Sequence, residues 1–167
     1  VVDAKAGALV IKDATCPVLH AAPQAAEKGV PFLPLRGVIG SDLIKARPDW
    51  RVIDNPFAAG GGDPILLVPA IRPDVALFHA PFADEAGNVW VGRRRELFTL
   101  AHAAAGSLVT VEEIRPGNLL QDETLAPATL AAFYIKAIAG APRGTWPLRF
   151  GEHHAEDGAH LAEYMAL

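Results

Sequence analysis

A chain of 167 residues, 51% of them hydrophobic, is long enough for one domain with a substantial core. Its formal charge of −4 excludes electrostatic attraction to nucleic acid or an anionic membrane. A single cysteine excludes an internal disulfide and fits a reducing cytoplasm, and no apolar run approaches the ~20 residues of a membrane span.

The chain opens at Val1, with no charged, apolar and small-residue leader, and reads as a piece of something longer. Gly7 to Lys12 is a predicted strand. Thr15 or Cys16 before Pro17 marks a helix start, since proline suits the first turn. Val18, Leu19, Ala22, Ala25 and Ala26 then share one face, and Gly29 ends the helix. Pro23 removes a bond to Leu19, which predicts a kink or an early stop. Cys16 has the position of an activated thiol, yet no base lies near it in sequence, so it reads as small apolar filler.

Val30 to Arg36 is a strand flanked by prolines. It feeds Gly37-Val-Ile-Gly40-Ser41, where glycines permit positive φ and close approach of a ligand to the backbone. Ser41 can cap a short helix ending before Pro48. The Gly-x-x-Gly spacing matches neither the phosphate loop nor the dinucleotide fingerprint, and a plain turn competes with a ligand site. Trp50 to Asp54 is a further strand, and Gly60-Gly-Gly62 reads as a loop tip, because no helix pattern follows it.

Strands are predicted from Pro64 to Ile71, around Val75 to His79, around Val89 and from Leu108 to Ile114. Val75-Ala-Leu-Phe-His79 shows no polar alternation, so both faces are covered, as in an α/β sheet. Asp84-Glu-Ala-Gly-Asn88 is a turn, with Gly87 or Asn88 in the left-handed position. Leu97, Leu100, Ala101 and Ala104 mark a helix covering the sheet. Thr124 with Pro127 predicts another helix, its face formed by Leu130, Phe133, Tyr134, Ala137 and Ile138. Ala141 to Pro147 is loop, and a last short helix runs from about Asp157 to Met165. The chain reads as a single α/β domain over residues 1–167, with an open, largely parallel sheet flanked by helices.

Few residues invite chemistry. Glu112 and Glu113 end a strand where a carboxylate can face a cleft, but neighbours on a strand point to opposite faces and cannot act as one pair. Arg93-Arg-Arg95 could hold a phosphate or carboxylate by bidentate bonds, against the commoner fate of a solvated run. His153, His154, Glu156, Asp157 and His160 fit no standard zinc spacing, and a polar tail is the better reading. His79 in an apolar strand reads as a satisfied core histidine. No Gly-x-Ser-x-Gly elbow is present. Residue chemistry alone stops at an α/β domain with an anion-binding cleft.

A resemblance goes further. Gly29-Val-Pro-Phe-Leu-Pro-Leu, Gly40-Ser-Asp-Leu, Ile53-Asp-Asn-Pro-Phe, Val68-Pro-Ala, Pro73-Asp-Val-Ala-Leu-Phe-His-Ala, Asp84 with Gly87-Asn88 and Val109-Thr-Val-Glu-Glu-Ile together resemble the alpha subunit of family I CoA-transferases, with glutaconate CoA-transferase as a near relative. Ala141-Pro-Arg-Gly-Thr-Trp-Pro resembles that family's Ala-Pro-x-Gly-Ala-x-Pro segment. The likeness runs from about Leu9 to Pro147. It implies the CoA-transferase and sugar-phosphate-isomerase type of fold, and most of an alpha subunit lacking its N-terminal part. It also implies a beta-type partner, with an acyl-CoA and a carboxylic acid as substrates and no further cofactor.

Departures from the family pattern matter as well. The family's opening Gly-Gly-Phe loop does not precede Val1. The Ser-Glu-Asn-Gly motif that carries the nucleophilic glutamate in beta subunits is missing, and Glu112-Glu113-Ile is not that motif. The expectation is therefore no catalytic nucleophile and no metal ligand in this chain. Substrate contacts are expected at Arg36, Gly37, Gly40 and Ser41, with support from Glu112, Glu113 and Arg93. Phe57, Phe82 and Trp90 are expected at the apolar interface with the partner. The alternatives are a non-catalytic acyl-CoA-binding module and a ring-opening CoA-thioester hydrolase subunit.

Overall fold

The computed structural model describes Lys5 and residues 7–166. Its chain divides into two compact units, Val1–Arg72 and Pro73–Leu167.

In the first unit, helix α1 (Cys16–Glu27) starts after Thr15 with proline in its first turn, and Val18, Ala21, Ala22, Ala25 and Ala26 are buried. Leu19, expected on that face, points outward at 54% exposure. Pro23 does not stop the helix, which continues to Glu27. An interior proline costs about 3 kcal/mol, and burial of the alanine face with Val18 offsets it. Gly29, at φ 69°, ends the helix as expected.

Strands β1 (Phe32–Leu35), β2 (Arg51–Asp54) and β3 (Pro64–Pro69) form an antiparallel sheet in the order β1-β3-β2. A short helix α2 (Leu43–Ala46) lies between β1 and β2. Leu66 and Val68 point inward and form the core with Val18, Ala22 and Trp50. Each such aliphatic side chain contributes about 1.5–3 kcal/mol by leaving water. The glycine run Gly60 to Gly62 is the tip of the β2–β3 hairpin, all three residues having positive φ.

Two expectations fail here. Gly7 to Lys12 is not a strand, and Leu9, Val10 and Ile11 are exposed. No described strand pairs with this run, and apolar character without a ladder partner does not make a strand. Cys16 is exposed rather than filling the core, because the packed face of α1 begins at Val18.

The second unit holds a five-stranded mixed sheet. Strands β4 (Ala76–Asp84), β6 (Ser107–Arg115) and β8 (Ile135–Gly140) run parallel, while β5 (Val89–Trp90) and β7 (Thr129–Leu130) add antiparallel pairings on one side. Their order across the sheet is β7-β5-β4-β6-β8. The parallel ladder expected of a largely parallel sheet runs through its three longest strands. Helix α3 (Arg95–Ala103) lies in the connection from β5 to β6, and Leu97, Phe98 and Ala101 pack with Ala80, Val109 and Val111. Gly87 takes the left-handed position of the β4–β5 turn, at φ 91°. Helix α4 (Gly158–Met165) closes the unit, with the Asp157 carboxylate accepting from the His160 N–H at 3.0 Å.

The helix expected from Thr124 to Ile138 does not form. Residues Ala126–Ala128 and Ala132–Tyr134 make single 3₁₀ turns, separated by β7 and followed by β8. Leu130 pairs with Val89, and Ile135 to Gly140 line the free edge of β6. Satisfying the backbone of that edge outweighs a helical spacing of apolar residues, and Thr129, Ile135 and Ile138 suit a strand in any case. Among the described residues no helix is long and apolar enough to cross a membrane.

Candidate functional site

The register of β4 against β6 sets Ala80 opposite Val111 and His79 opposite Thr110, so His79, Thr110 and Glu112 share one face of the sheet. The imidazole accepts or donates on both sides. Its Nδ1 lies 2.8 Å from Thr110 Oγ1 and its Nε2 lies 2.9 Å from Glu112 Oε1. An ionised Glu112 fixes the proton on Nε2, which leaves Nδ1 to accept from the threonine hydroxyl. His79 is thus the satisfied histidine expected, with its side chain only 10% exposed.

Glu112 gathers more than His79. Its Oε2 accepts from the Arg143 backbone N–H at 2.7 Å, and its Oε1 lies 3.5 Å from His154 Nε2. The side chain is 9% exposed. Burial pushes its carboxyl upward, but the Arg143 N–H, the His79 bond and the two imidazoles outweigh this and hold it below the usual range. Glu112 therefore ties the loop after β8 and the turn Phe150–His154 to the sheet. The turn closes on itself, Phe150 N–H donating to His154 O at 3.1 Å, and His154 Nε2 also meets Thr145 Oγ1 at 3.2 Å. Gly144 fits closely over His79, where an added Cβ would come within 2.7 Å of the ring.

Beside this cluster lies a cleft of about 450 Å³, lined by Pro81, Trp90, Arg94, Phe150, Gly151, Glu152 and His153. The Phe150 ring meets the edge of His79 at 4.8 Å on one side and the Arg94 guanidinium at 4.8 Å. Trp90 stacks on Phe82 at 4.9 Å, and Arg115 sits over Phe82 at 3.7 Å. Phe82 is buried beneath the stacked Trp90, which is itself half-buried, whereas Phe57 is 94% exposed.

Glu113 faces away from Glu112, as strand geometry requires, and its only described partner is Arg115 at 2.8 Å. Arg93 is exposed. His153 and His160 meet aromatic rings, and among the described residues no cluster of His, Cys, Asp or Glu could hold a metal ion.

The expected substrate-binding residues belong to the first unit. Arg36 is engaged by Asp63 through both carboxylate oxygens, and Asn55 Nδ2 donates to the same carboxylate at 2.7 Å. Gly37 does not take positive φ. Val38 does, at 62°, together with Gly40 at 86°. Ser41 does not cap α2: its hydroxyl donates to Val38 O at 2.7 Å and closes the turn, leaving Asp42 at the helix start. Serine hydroxyls readily bond nearby backbone in this way, in competition with capping.

Residues 19–136 match the coenzyme A transferase family profile. Over 130 residues the chain is 38% identical to a protein of Pseudomonas knackmussii named as one subunit of 3-oxoadipate CoA-transferase, covering 74% of this chain and 42% of that protein. Over 161 residues it is 31% identical to the corresponding glutaconate CoA-transferase subunit of Acidaminococcus fermentans, covering 86% and 49%. A cholesterol ring-cleaving hydrolase IpdA subunit from Rhodococcus jostii is 25% identical, covering 95% and 56%. Among solved structures, the glutaconate enzyme superposes with a TM-score of 0.82 at 28% identity, over 97% of this chain and 55% of that one. A variant of the decarboxylase AibA/AibB superposes with a TM-score of 0.81 at 31% identity, over 99% and 59%. The chain spans less than half the length of either transferase subunit it matches.

Proposed function

This chain belongs to the coenzyme A transferase family, and from that premise we propose that it is part of an alpha-type subunit. The subunit moves CoA between an acyl-CoA thioester and a carboxylic acid, and a beta-type partner carries the nucleophilic glutamate. In such a reaction a carboxylate oxygen attacks the thioester carbonyl, forming an anhydride and releasing the CoA thiolate. The thiolate then attacks the glutamyl carbonyl, which frees the first acid and leaves a glutamyl-CoA thioester for the second acid to reverse.

The observation that carries the division of labour is the state of Glu112. An attacking glutamate needs an oxygen free to reach a thioester. Both oxygens of Glu112 are engaged, by the Arg143 N–H and by His79, in a side chain 9% exposed. It serves as an anchor for the loop and turn beside the cleft. The turn bearing Arg36, Gly37, Gly40 and Ser41 is assigned to the acyl pocket. The single cysteine fits a cytoplasmic protein.

Co-expression with a beta-type chain, followed by turnover on a panel of acyl-CoA donors and acids, tests the proposal. Gly37→Ala is a usable probe of the turn, because an added Cβ meets only Pro17 Cβ at 4.0 Å. It should raise KM without lowering the melting temperature; unchanged kinetics would return the turn to a structural role. The likeness to a protein named as a ring-cleaving hydrolase favours a second reading, hydrolytic opening of a ring in a CoA-thioester substrate without a glutamyl intermediate. Ring opening of a cyclic acyl-CoA with its thioester intact and no acceptor acid present would select it.

A further inference from the structure

We propose that the cleft walled by Trp90 and Phe150 binds a small carboxylate, with Arg94 as its anchor. Two of the chain's other stacked arginines hold carboxylates, and a third, Arg95 over Phe98 at 5.9 Å, is exposed and does not line the cleft. Arg47 lies over Trp50 at 4.2 Å and holds Asp49 by two bonds, at 2.9 and 2.7 Å. Arg115 lies over Phe82 and holds Glu113 at 2.8 Å. Arg94 has the ring, Phe150 at 4.8 Å, but not the carboxylate. Among the described residues no acidic group lies within ion-pair distance of it.

Its one described side-chain bond is long, Nη1 to the His79 carbonyl at 3.4 Å. The rest of the guanidinium fork is without a described acceptor, in a half-buried side chain lining a cleft of about 450 Å³. That volume lies in the range of small-molecule sites. A planar fork over an aromatic face suits a bidentate carboxylate, and the apolar walls suit a short carbon chain.

The walls are held independently of any ligand. Phe150 is 8% exposed and sits on the turn that His154 ties to Glu112. Trp90 lies over Gly92, at φ 62°, where an added Cβ would come within 2.9 Å of the indole. Two further groups line the cleft and bear on charge. They are the imidazole of His153 and the exposed carboxylate of Glu152, which opposes an anion. Glu152 lines the same cleft without pairing with Arg94, so removing its charge lessens the repulsion of an anion there.

The inference deepens the transferase reading and rests on it for the expectation that the carboxylate belongs to a substrate acid. Binding is measured without turnover, so the two can fail separately. Calorimetric titration of the full chain with glutarate should show saturable binding. Arg94→Met should weaken it by on the order of tenfold or more, Arg94→Lys should recover only part, and Glu152→Gln should tighten it. Circular dichroism and melting temperature confirm that each variant is folded. Absence of glutarate binding by the folded wild-type chain would overturn the proposal, as would equal affinity in folded Arg94→Met. Arg94-dependent binding of inorganic phosphate or ADP, with none of glutarate, would overturn the choice of carboxylate.

Discussion

Two buried carboxylates of the second unit sit on neighbouring parallel strands and do different work. Asp84 ends β4 at 2% exposure, and its partners are backbone and amide groups. It accepts from the Asn88 N–H at 2.8 Å, Asn88 Nδ2 at 2.7 Å and the Leu119 N–H at 2.8 Å. Asn88 extends the brace to Asn118 at 3.2 Å and to the Ala132 N–H at 3.0 Å. None of these partners titrates, so Asp84 fixes the β4–β5 turn and the loop after β6 whatever the pH above its own range. Glu112 faces two imidazoles and one backbone N–H, beside a cleft. The contrast teaches that burial and a depressed carboxyl do not make a site; the identity of the partners and the adjacent open volume do.

Asp84→Ala removes the acceptor of three backbone N–H groups, those of Ala86, Asn88 and Leu119, and one partner of the Asn88 amide, and should destabilise the chain by about 3 kcal/mol or more, read by urea unfolding. A loss under about 1 kcal/mol would mean that water or rearrangement replaces the brace. Glu112→Gln keeps shape, and the amide oxygen can still accept from Arg143, while His79 can switch tautomer to accept at Nε2. Its cost should be about 1–2 kcal/mol, smaller than that of Asp84→Ala, with looser cleft walls seen as faster hydrogen exchange over residues 141–154.

Acid sharpens the same pair. Both carboxyls lie below their ordinary values of 3.8 and 4.5. For Asp84, burial acts upward, and bonds from the Asn88 side chain, the Leu119 and Asn88 N–H groups and the Ala86 N–H outweigh it. A depressed folded pKa gives stability that is complete above the ordinary carboxyl range and is lost as pH falls through the folded value. Melting temperature should therefore fall below about pH 4.5, and Asp84→Asn and Glu112→Gln should each flatten that limb. An acid limb unchanged in both variants would contradict the assignment. Glu113→Gln should do least. Its Arg115 pair is exposed, and a change of no more than about 0.5 kcal/mol is expected. A larger loss would show that the two faces of β6 are coupled.

Much of this contrast could be read from sequence, for identifiable reasons. Asp84-Glu-Ala-Gly-Asn88 announced its turn because glycine and asparagine carry local conformational rules. The opposite facing of Glu112 and Glu113 follows from the pleat alone. A histidine in the apolar run before Ala80 demands a partner, and the strand parity of Glu112 made it available. What could not be read were Arg143, His154 and Leu119, which reach these carboxylates from loops whose paths no periodicity encodes. The segment after Thr124 failed for a related reason: Leu130, Phe133, Tyr134, Ala137 and Ile138 have helical spacing, but the exposed edges of β5 and β6 claimed the chain. The arginine run reads first as a solvated face and only second as an anion site, and packing against Phe150 is what singles out Arg94 over Arg93. The family emerged from motif resemblance, not from any of these patterns.

The central claim is that Glu112 anchors and does not attack. Assembled with a beta-type chain, the protein should be treated with acyl-CoA, trapped with hydroxylamine or borohydride, and mapped by peptide mass spectrometry. The account predicts modification of a glutamate on the partner and none on this chain, with Glu112→Gln still permitting the label. Modification of Glu112, or of any glutamate in this chain, would contradict it.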